Sequence, residues 1–226
     1  VKGARLGSKE IWFEPREIRS GNFEAEIKTA GSISMLLTAT LPICLFADDT
    51  VRLHVSKGGT DVSHSPTINY LRNVFLPTLK QMGVEASITV HKYGYYPKGM
   101  GEVTMAVKPH KHLQPIRLNK FGNLKTVKGV SVCTFLADRK VAERQAKAAE
   151  TYLSEKGYAT DIQVVNDQSN FLQKGSSITL WAETDTGVII GADAIGQLRK
   201  TSEAVGREAA EKLVVELFDK PTVDLH

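Results

Sequence analysis

The stretch of this chain that decides its fold reads Tyr95-Tyr96-Pro97-Lys98-Gly99-Met100-Gly101-Glu102-Val103. Proline removes a backbone donor and glycine leaves the backbone unrestrained, so this string cannot continue as a regular strand or helix. Apolar and polar residues alternate on both sides of it, over residues 85–93 and 101–108, as they do in strands. The pattern predicts a basic turn between two strands, although an ordinary hairpin with an incidental lysine has the same composition.

Two earlier segments combine glycine with hydroxyl groups. Lys57-Gly58-Gly59-Thr60-Asp61 places flexible backbone, a hydroxyl, a carboxylate and a lysine after a strand, which suits the lining of a polar cleft. Thr29-Ala30-Gly31-Ser32 precedes an apolar helix, whose unpaired N–H groups can hold an anion. A bare strand-to-helix turn and an ordinary capped helix, with Ser32 as N-cap, explain the same residues.

Hydrophobic periodicity predicts a first unit of five strands and two helices. The strands are expected over 4–15, 22–28, around 51–55, 85–93 and 101–108, and the helices over 33–47 and from Pro66 onward. We expect the first two strands to form an antiparallel pair. The helix at Pro66 begins at a position where the missing proline donor costs nothing, and Ile68, Leu71, Val74 and Leu79 mark its buried face.

A linker over 110–115 separates this unit from a second one. Strands are expected over 126–135, 161–165, 177–183 and 187–192, and helices over 138–156 and 201–218. The apolar residues of this unit, which include Val130, Val132, Ile189 and Leu213, are numerous enough to form a core of their own. We therefore expect the functional residues on the first unit, with the second modulating access at most.

Composition excludes several classes of protein. The 226 residues carry 29 Lys+Arg against 25 Asp+Glu, a net charge of +4, which tolerates an anionic partner and excludes a histone-like protein. Cys44 and Cys133 lie in apolar runs, as buried thiols of a reducing compartment do. The longest apolar run, 35–47, is too short to cross a bilayer, so we expect a cytoplasmic protein without membrane partners. The chain begins without methionine, and we expect a fragment.

Motifs for common chemistries are absent from the sequence. No Walker motif, Gly-x-Ser-x-Gly or Cys/His nucleophile pattern occurs, and the six histidines form no carboxylate-backed pair. His110-x-His112 could contact a metal, but a solvated linker explains it as well. Residue chemistry alone therefore reaches only a two-unit α/β protein with basic polar turns.

The chain resembles the RNA 3′-terminal phosphate cyclase family over essentially its whole length. The resemblance rests on Gly94-Tyr95-Tyr96-Pro97-Lys98-Gly99, Gly58-Gly59-Thr60, Thr29–Ser32, Trp181-Ala182-Glu183-Thr184 and Val205-Gly206-x-Glu208-Ala209-Ala210. It implies a layered α+β fold, in which two-helix, four-strand units like those of enolpyruvyl transferases repeat and a smaller α/β domain is inserted. Residues 1–118 would be the middle repeat, 119–219 the insert and 220–226 the return to the large domain.

The same resemblance implies an enzyme, a ligase that uses ATP and a divalent cation, Mg or Mn, to convert the 3′-terminal phosphate at an RNA 3′ end to a 2′,3′-cyclic phosphate through a histidine–AMP intermediate. The metal-binding glutamate would precede Val1 and the nucleophilic histidine would follow His226, so no catalytic or metal-binding residue is expected here. The alternative is an inactive cyclase-like protein that acts as an RNA-binding module in ribosome assembly.

For the nucleotide, the resemblance implies that Pro66 and His226 lie on the two faces of the adenine and that Tyr70 lines the same pocket. Thr38 stands where many members have a nucleotide-contacting glutamine. Met100 replaces a more usual glycine. Neither the sequence nor the resemblance gives the oligomeric state.

Overall fold

The computed structural model describes residues 1–225 and contains two four-stranded mixed sheets with helices. This is the layered α+β fold expected from the sequence. The strands of the first unit are β1 (Gly21–Glu26), β2 (Val51–Gly58), β3 (Ala86–Lys92) and β4 (Gly101–Val107). Those of the second are β5 (Leu124–Thr134), β6 (Thr160–Asp167), β7 (Gly175–Thr184) and β8 (Ile189–Ile195).

Helices flank both sheets. In the first unit α1 spans Ile33–Cys44, and α2 (Ile68–Tyr70) continues through a π-helical turn (Leu71–Phe75) into α3 (Leu76–Lys80). In the second unit a short 3₁₀ turn (Ala137–Arg139) precedes α4 (Val141–Glu155), and α5 spans Ser202–Asp219. Within residues 1–225, no helix combines the length and the apolar character that a membrane crossing requires.

The cap of α1 is the one that the sequence predicts. The side-chain oxygen of Ser32 accepts a hydrogen bond from the backbone N–H of Met35 at 3.0 Å. Thr201 does the same for α5, where its hydroxyl accepts from the N–H of Ala204 at 3.2 Å. Both caps satisfy donors that a helix start would otherwise leave unpaired.

The expected antiparallel pair at the start of the chain is wrong. Residues 4–15 form no strand, and Lys2 and Trp12 make only an isolated bridge. β1 instead pairs in parallel with β2, in the first sheet's order β1-β2-β4-β3. Gly7 adopts positive φ inside this run and breaks it, and Trp12 is 67% exposed, so this alternation does not mark a half-buried strand.

The second sheet has the order β6-β5-β7-β8 and packs on both of its faces. On one face the sheet packs against α4 and α5, and the core between them includes Ile178, Leu180 and Leu213. On the other face, Val132 and Trp181 belong to the core cluster of the first unit. The second unit thus has an apolar core of its own and also contributes Val132 and Trp181 to the core of the first unit, while the boundaries at 118 and 219 remain predictions.

Candidate functional site

A cleft of about 410 Å³ lies where the two units meet. The first unit contributes the loop Ser63–Pro66, between β2 and α2. The second unit contributes the end of β8, the loop after it and one side of α5, with Asp193, Gln197, Glu208 and Lys212 facing the cleft. A volume of this size falls within the range of about 300–1,000 Å³ that is usual for pockets that hold small molecules.

Hydrogen bonds across the boundary fix the first unit's side of the cleft. The backbone N–H of Thr67 donates to Oδ2 of Asp193 at 2.8 Å, and the hydroxyls of Thr67 and Thr179 are 2.7 Å apart. All three side chains are buried. Because buried polar groups are costly unless paired, these bonds hold the segment after Pro66 in a single position against the second sheet.

Asp61 binds the segment that follows Pro66 through hydrogen bonds. It is fully buried; its Oδ2 accepts from the hydroxyl of Thr60 at 2.6 Å and its Oδ1 accepts from the N–H of Ile68 at 3.2 Å. Burial, reinforced by the charge of Asp193, raises the pKa of this carboxyl from 3.8 to about 7, although the bonds from Thr60 and Ile68 oppose the shift.

A set of charges on α5 forms the opposite wall. Nζ of Lys212 donates to the carbonyl oxygen of Asp193 at 2.9 Å and lies 2.9 Å from Oε1 of Glu208, which also pairs with Lys200. Burial alone would raise the pKa of Glu208, but the two ammonium groups outweigh it and the pKa lies below its usual value. Glu208 is therefore a carboxylate that orients Lys212 at the edge of the cleft.

The structure places Pro66 in the cleft wall and Tyr70 one helical turn behind it. The hydroxyl of Tyr70 donates to Oδ1 of Asp224 at 2.6 Å, and the other oxygen of Asp224 accepts from the N–H of Gly191 at 2.6 Å. Burial and then this carboxylate raise the pKa of Tyr70, so the hydroxyl remains a donor. Tyr70 thereby ties the segment at Asp224 to α2, which begins at Ile68, two residues after Pro66 and not at Pro66 as the sequence predicts.

The structure places Thr38, a further residue expected at the nucleotide site, outside the lining of the cleft. Thr38 is half-buried on α1, where its hydroxyl donates to the carbonyl oxygen of Ser34 at 2.9 Å, and it is not among the residues that line the cleft. His226 lies outside the described residues. The nucleotide-binding roles of Thr38, Pro66, Tyr70 and His226 remain predictions.

Sequence reasoning missed the residues that the second unit brings to the cleft. Asp193, Gln197 and Lys212 lie more than a hundred positions after Pro66, and only contact between the units reveals them. One signal was available, because Glu208 belongs to the family-like string Val205–Ala210 and Lys212 follows it by one helical turn.

A family model described as RNA 3'-terminal phosphate cyclase matches residues 1–218. The chain belongs to the RNA 3′-terminal phosphate cyclase family. Curated relatives named RNA 3'-terminal phosphate cyclase include proteins from Pyrobaculum aerophilum, 40% identical over 226 residues, and Methanopyrus kandleri, 42% identical over 229 residues, each alignment covering 100% of this chain. A third, from Pyrococcus furiosus, is 42% identical over 224 residues and 99% of the chain. The chain spans 64% of the length of each of these relatives.

In this member of the cyclase family, the cation expected from the resemblance has no ligand cluster among the described residues. No group of three or more His, Cys, Asp or Glu within residues 1–225 is arranged to hold a metal ion. Carboxylates near the cleft are used otherwise, since Asp193 accepts from Thr67 and Glu208 pairs with two lysines. The divalent cation remains a prediction.

The histidines of this cyclase family member are placed mostly away from the cleft. His54 and His91 lie on the open face of the first sheet, where both rings contact the hydroxyl of Thr104. The ring of His110 packs against Gly83 and is only partly exposed, so the expected solvated linker describes the exposed His112 but not His110. His64 alone among the described histidines lines the cleft.

Proposed function

We propose that this chain provides the nucleotide-binding part of an ATP-dependent enzyme that converts an RNA 3′-terminal phosphate to a 2′,3′-cyclic phosphate. Family membership and the printed names of the relatives support this activity. The structural observation that carries it is the cleft in which Pro66 from one unit lies opposite Lys212 from the other. The comparisons give no support to the alternative of an inactive ribosome-assembly protein. The cytoplasmic location remains a prediction.

One wall of the cleft presents an apolar ring and the other a positive charge, which suit the base and the phosphates of a nucleotide respectively. Pro66 offers an apolar ring on which a base can rest. Lys212 offers an ammonium group, which Glu208 and the carbonyl of Asp193 hold in place, to an anionic phosphate. ATP supplies the adenylyl group that makes the RNA phosphate open to attack by its neighbouring 2′-hydroxyl, because an unmodified phosphate oxygen is a poor leaving group.

Substitution of Lys212 tests this assignment. We expect Lys212→Met to weaken ATP binding by roughly 10-fold or more, the cost of one charge-assisted hydrogen bond, and to leave adenosine binding unchanged. Glu208 keeps Lys200 as a partner, so the wall should remain folded. Titration calorimetry of both ligands measures the effect, with Lys147→Gln on the exposed side of α4 as control.

An equal loss of ATP and adenosine affinity in Lys212→Met would show that Lys212 only supports the wall. If the unaltered protein bound neither ligand, the proposed function itself would be wrong. Pro66→Ala provides the complementary result, since it should weaken adenosine and ATP to the same extent.

Covalent labelling tests the placement of the nucleophile. The resemblance puts the reactive histidine outside residues 1–226, so incubation of this chain with α-labelled ATP and Mg²⁺ should leave no label on a denaturing gel. His64 is the described histidine that could contradict this, because it lines the cleft. A label that appeared on the chain and disappeared in His64→Asn would overturn the prediction and identify His64 as the nucleophile.

A further inference from the structure

The turn Tyr95–Gly99 of the first unit is bound directly to the loop 168–174 of the second. Nδ2 of Asn170 donates to the carbonyl oxygens of Tyr93 and Gly99, at 2.7 and 3.2 Å, and the N–H of Lys98 donates to Oε1 of Gln173 at 3.2 Å. Asn170 is only 2% exposed. The two segments therefore form one pre-organised surface.

That surface carries aromatic rings and positive charges. Tyr96 is 78% exposed and Phe171 is 75% exposed; Tyr96 lies two residues before Lys98, and Phe171 directly follows Asn170. Lys98 and Lys174 are also exposed, and neither makes an ion pair with any carboxylate among residues 1–225. Neither segment contains Asp or Glu. We call Tyr96, Lys98, Phe171 and Lys174 the aromatic-basic patch.

The patch is continuous with the backbone that carries the cleft. The carbonyl oxygen of Gly94, beside Tyr95, accepts from the N–H groups of Thr60 at 2.8 Å and Asp61 at 3.1 Å. From there the chain runs within a few residues to His64 and Pro66. A polymer whose terminal residue occupied the cleft would therefore contact the patch with the residues that precede the terminal one.

We propose that the aromatic-basic patch binds the unpaired nucleotides that precede the 3′ end of the RNA substrate. This inference rests on the proposed function. Exposed flat side chains stack on bases of any sequence, and lysines beside them contact the connecting phosphates. The absence of carboxylates from both segments favours a polyanion over other partners of an exposed apolar surface.

The test uses fluorescence anisotropy with an end-labelled, unstructured RNA of about 12 nucleotides that carries a 3′-phosphate. Tyr96→Ala and Phe171→Ala should each weaken binding by roughly 5- to 100-fold, the range for loss of one base-stacking platform. The double variant Lys98→Gln/Lys174→Gln should reduce the slope of log affinity against log salt by about 1.4. Matched controls are Phe218→Ala, at a ring that is 84% exposed on α5, and Lys125→Gln/Lys147→Gln.

A blunt RNA duplex separates stacking from simple charge attraction. Its bases are paired, so the aromatic variants should bind it as the unaltered protein does. Aromatic variants that bound single-stranded RNA normally, or that lost duplex affinity equally, would overturn the proposal. ATP binding is measured in parallel: if it is intact while the patch variants bind RNA normally, this inference alone fails, and if the unaltered protein binds neither ATP nor RNA, the proposed function fails with it.

Discussion

Gly94→Ala should destabilise this protein by on the order of 3 kcal/mol or more and should also weaken nucleotide binding. A Cβ at this position would lie 2.4 Å from the carbonyl oxygen of Gly58 and 2.4 Å from the backbone nitrogen of Gly101. Both are main-chain atoms at the ends of β2 and β4, so no rotamer change relieves the contact. The backbone would have to move apart where the carbonyl of Gly94 holds Thr60 and Asp61.

Gly157→Ala is the matched control for this substitution. Gly157 has φ +84°, and a Cβ there would meet nothing within 4 Å beyond its chain neighbours, so an alanine causes only conformational strain, worth about 1 kcal/mol. Urea unfolding followed by the fluorescence of the buried Trp181 measures both variants. Equal losses of stability for the two variants would show that the backbone of Gly58 and Gly101 can move to accommodate a Cβ at position 94.

The sequence predicted local structure well because local patterns determine it. Ser32 caps α1 as its position before an apolar run predicts, and Gly157 follows α4 at φ +84°. Strand pairing could not be predicted from local sequence patterns. β1 is adjacent in space to β2, which follows only after a helix, and the alternation over 4–15 had no partner strand to confirm it.

The cleft could not be predicted because its defining contacts join distant parts of the chain. On β7, Ser177 and Thr179 alternate with Ile178 and Leu180, a pattern typical of a strand with one face in water. Both polar residues are buried, however, since that face packs against the first unit and Thr179 bonds to Thr67. A polar boundary between units has the same sequence pattern as a solvent-exposed surface, which is why Asp193 and Lys212 were missed.

The folding stability of this protein should decrease by on the order of 4 kcal/mol between about pH 4 and about pH 7 through Asp61 alone. The pKa of this carboxyl rises from 3.8 to about 7 on folding, chiefly because the group is fully buried. Over this interval the unfolded chain has lost the proton and the folded chain retains it. The unfolded state then binds fewer protons, so stability falls as pH rises and levels off above the folded pKa.

Asp61→Asn should remove this dependence, because the amide reproduces the neutral acid. Its nitrogen can donate to the hydroxyl of Thr60, which in turn lies 3.3 Å from the carbonyl oxygen of Gly94 as an alternative acceptor. Its oxygen can still accept from the N–H of Ile68. The variant should therefore gain stability relative to the unaltered protein, by on the order of 3 kcal/mol more at pH 8 than at pH 5.

Asp185→Asn provides a control of opposite sign, because hydrogen bonds from Asn123 hold the pKa of this exposed carboxyl below its usual value. It should lose the same amount of stability at about pH 5 and about pH 8, because the lowered pKa confines the pH dependence of this carboxyl to values below its usual 3.8. Urea unfolding of the three proteins at about pH 5 and about pH 8 gives the comparison. An Asp61→Asn variant whose stability relative to the unaltered protein was the same at both pH values would show that folding does not raise the pKa of Asp61, and that the segment leading to Pro66 is held by a carboxylate already ionised at about pH 5.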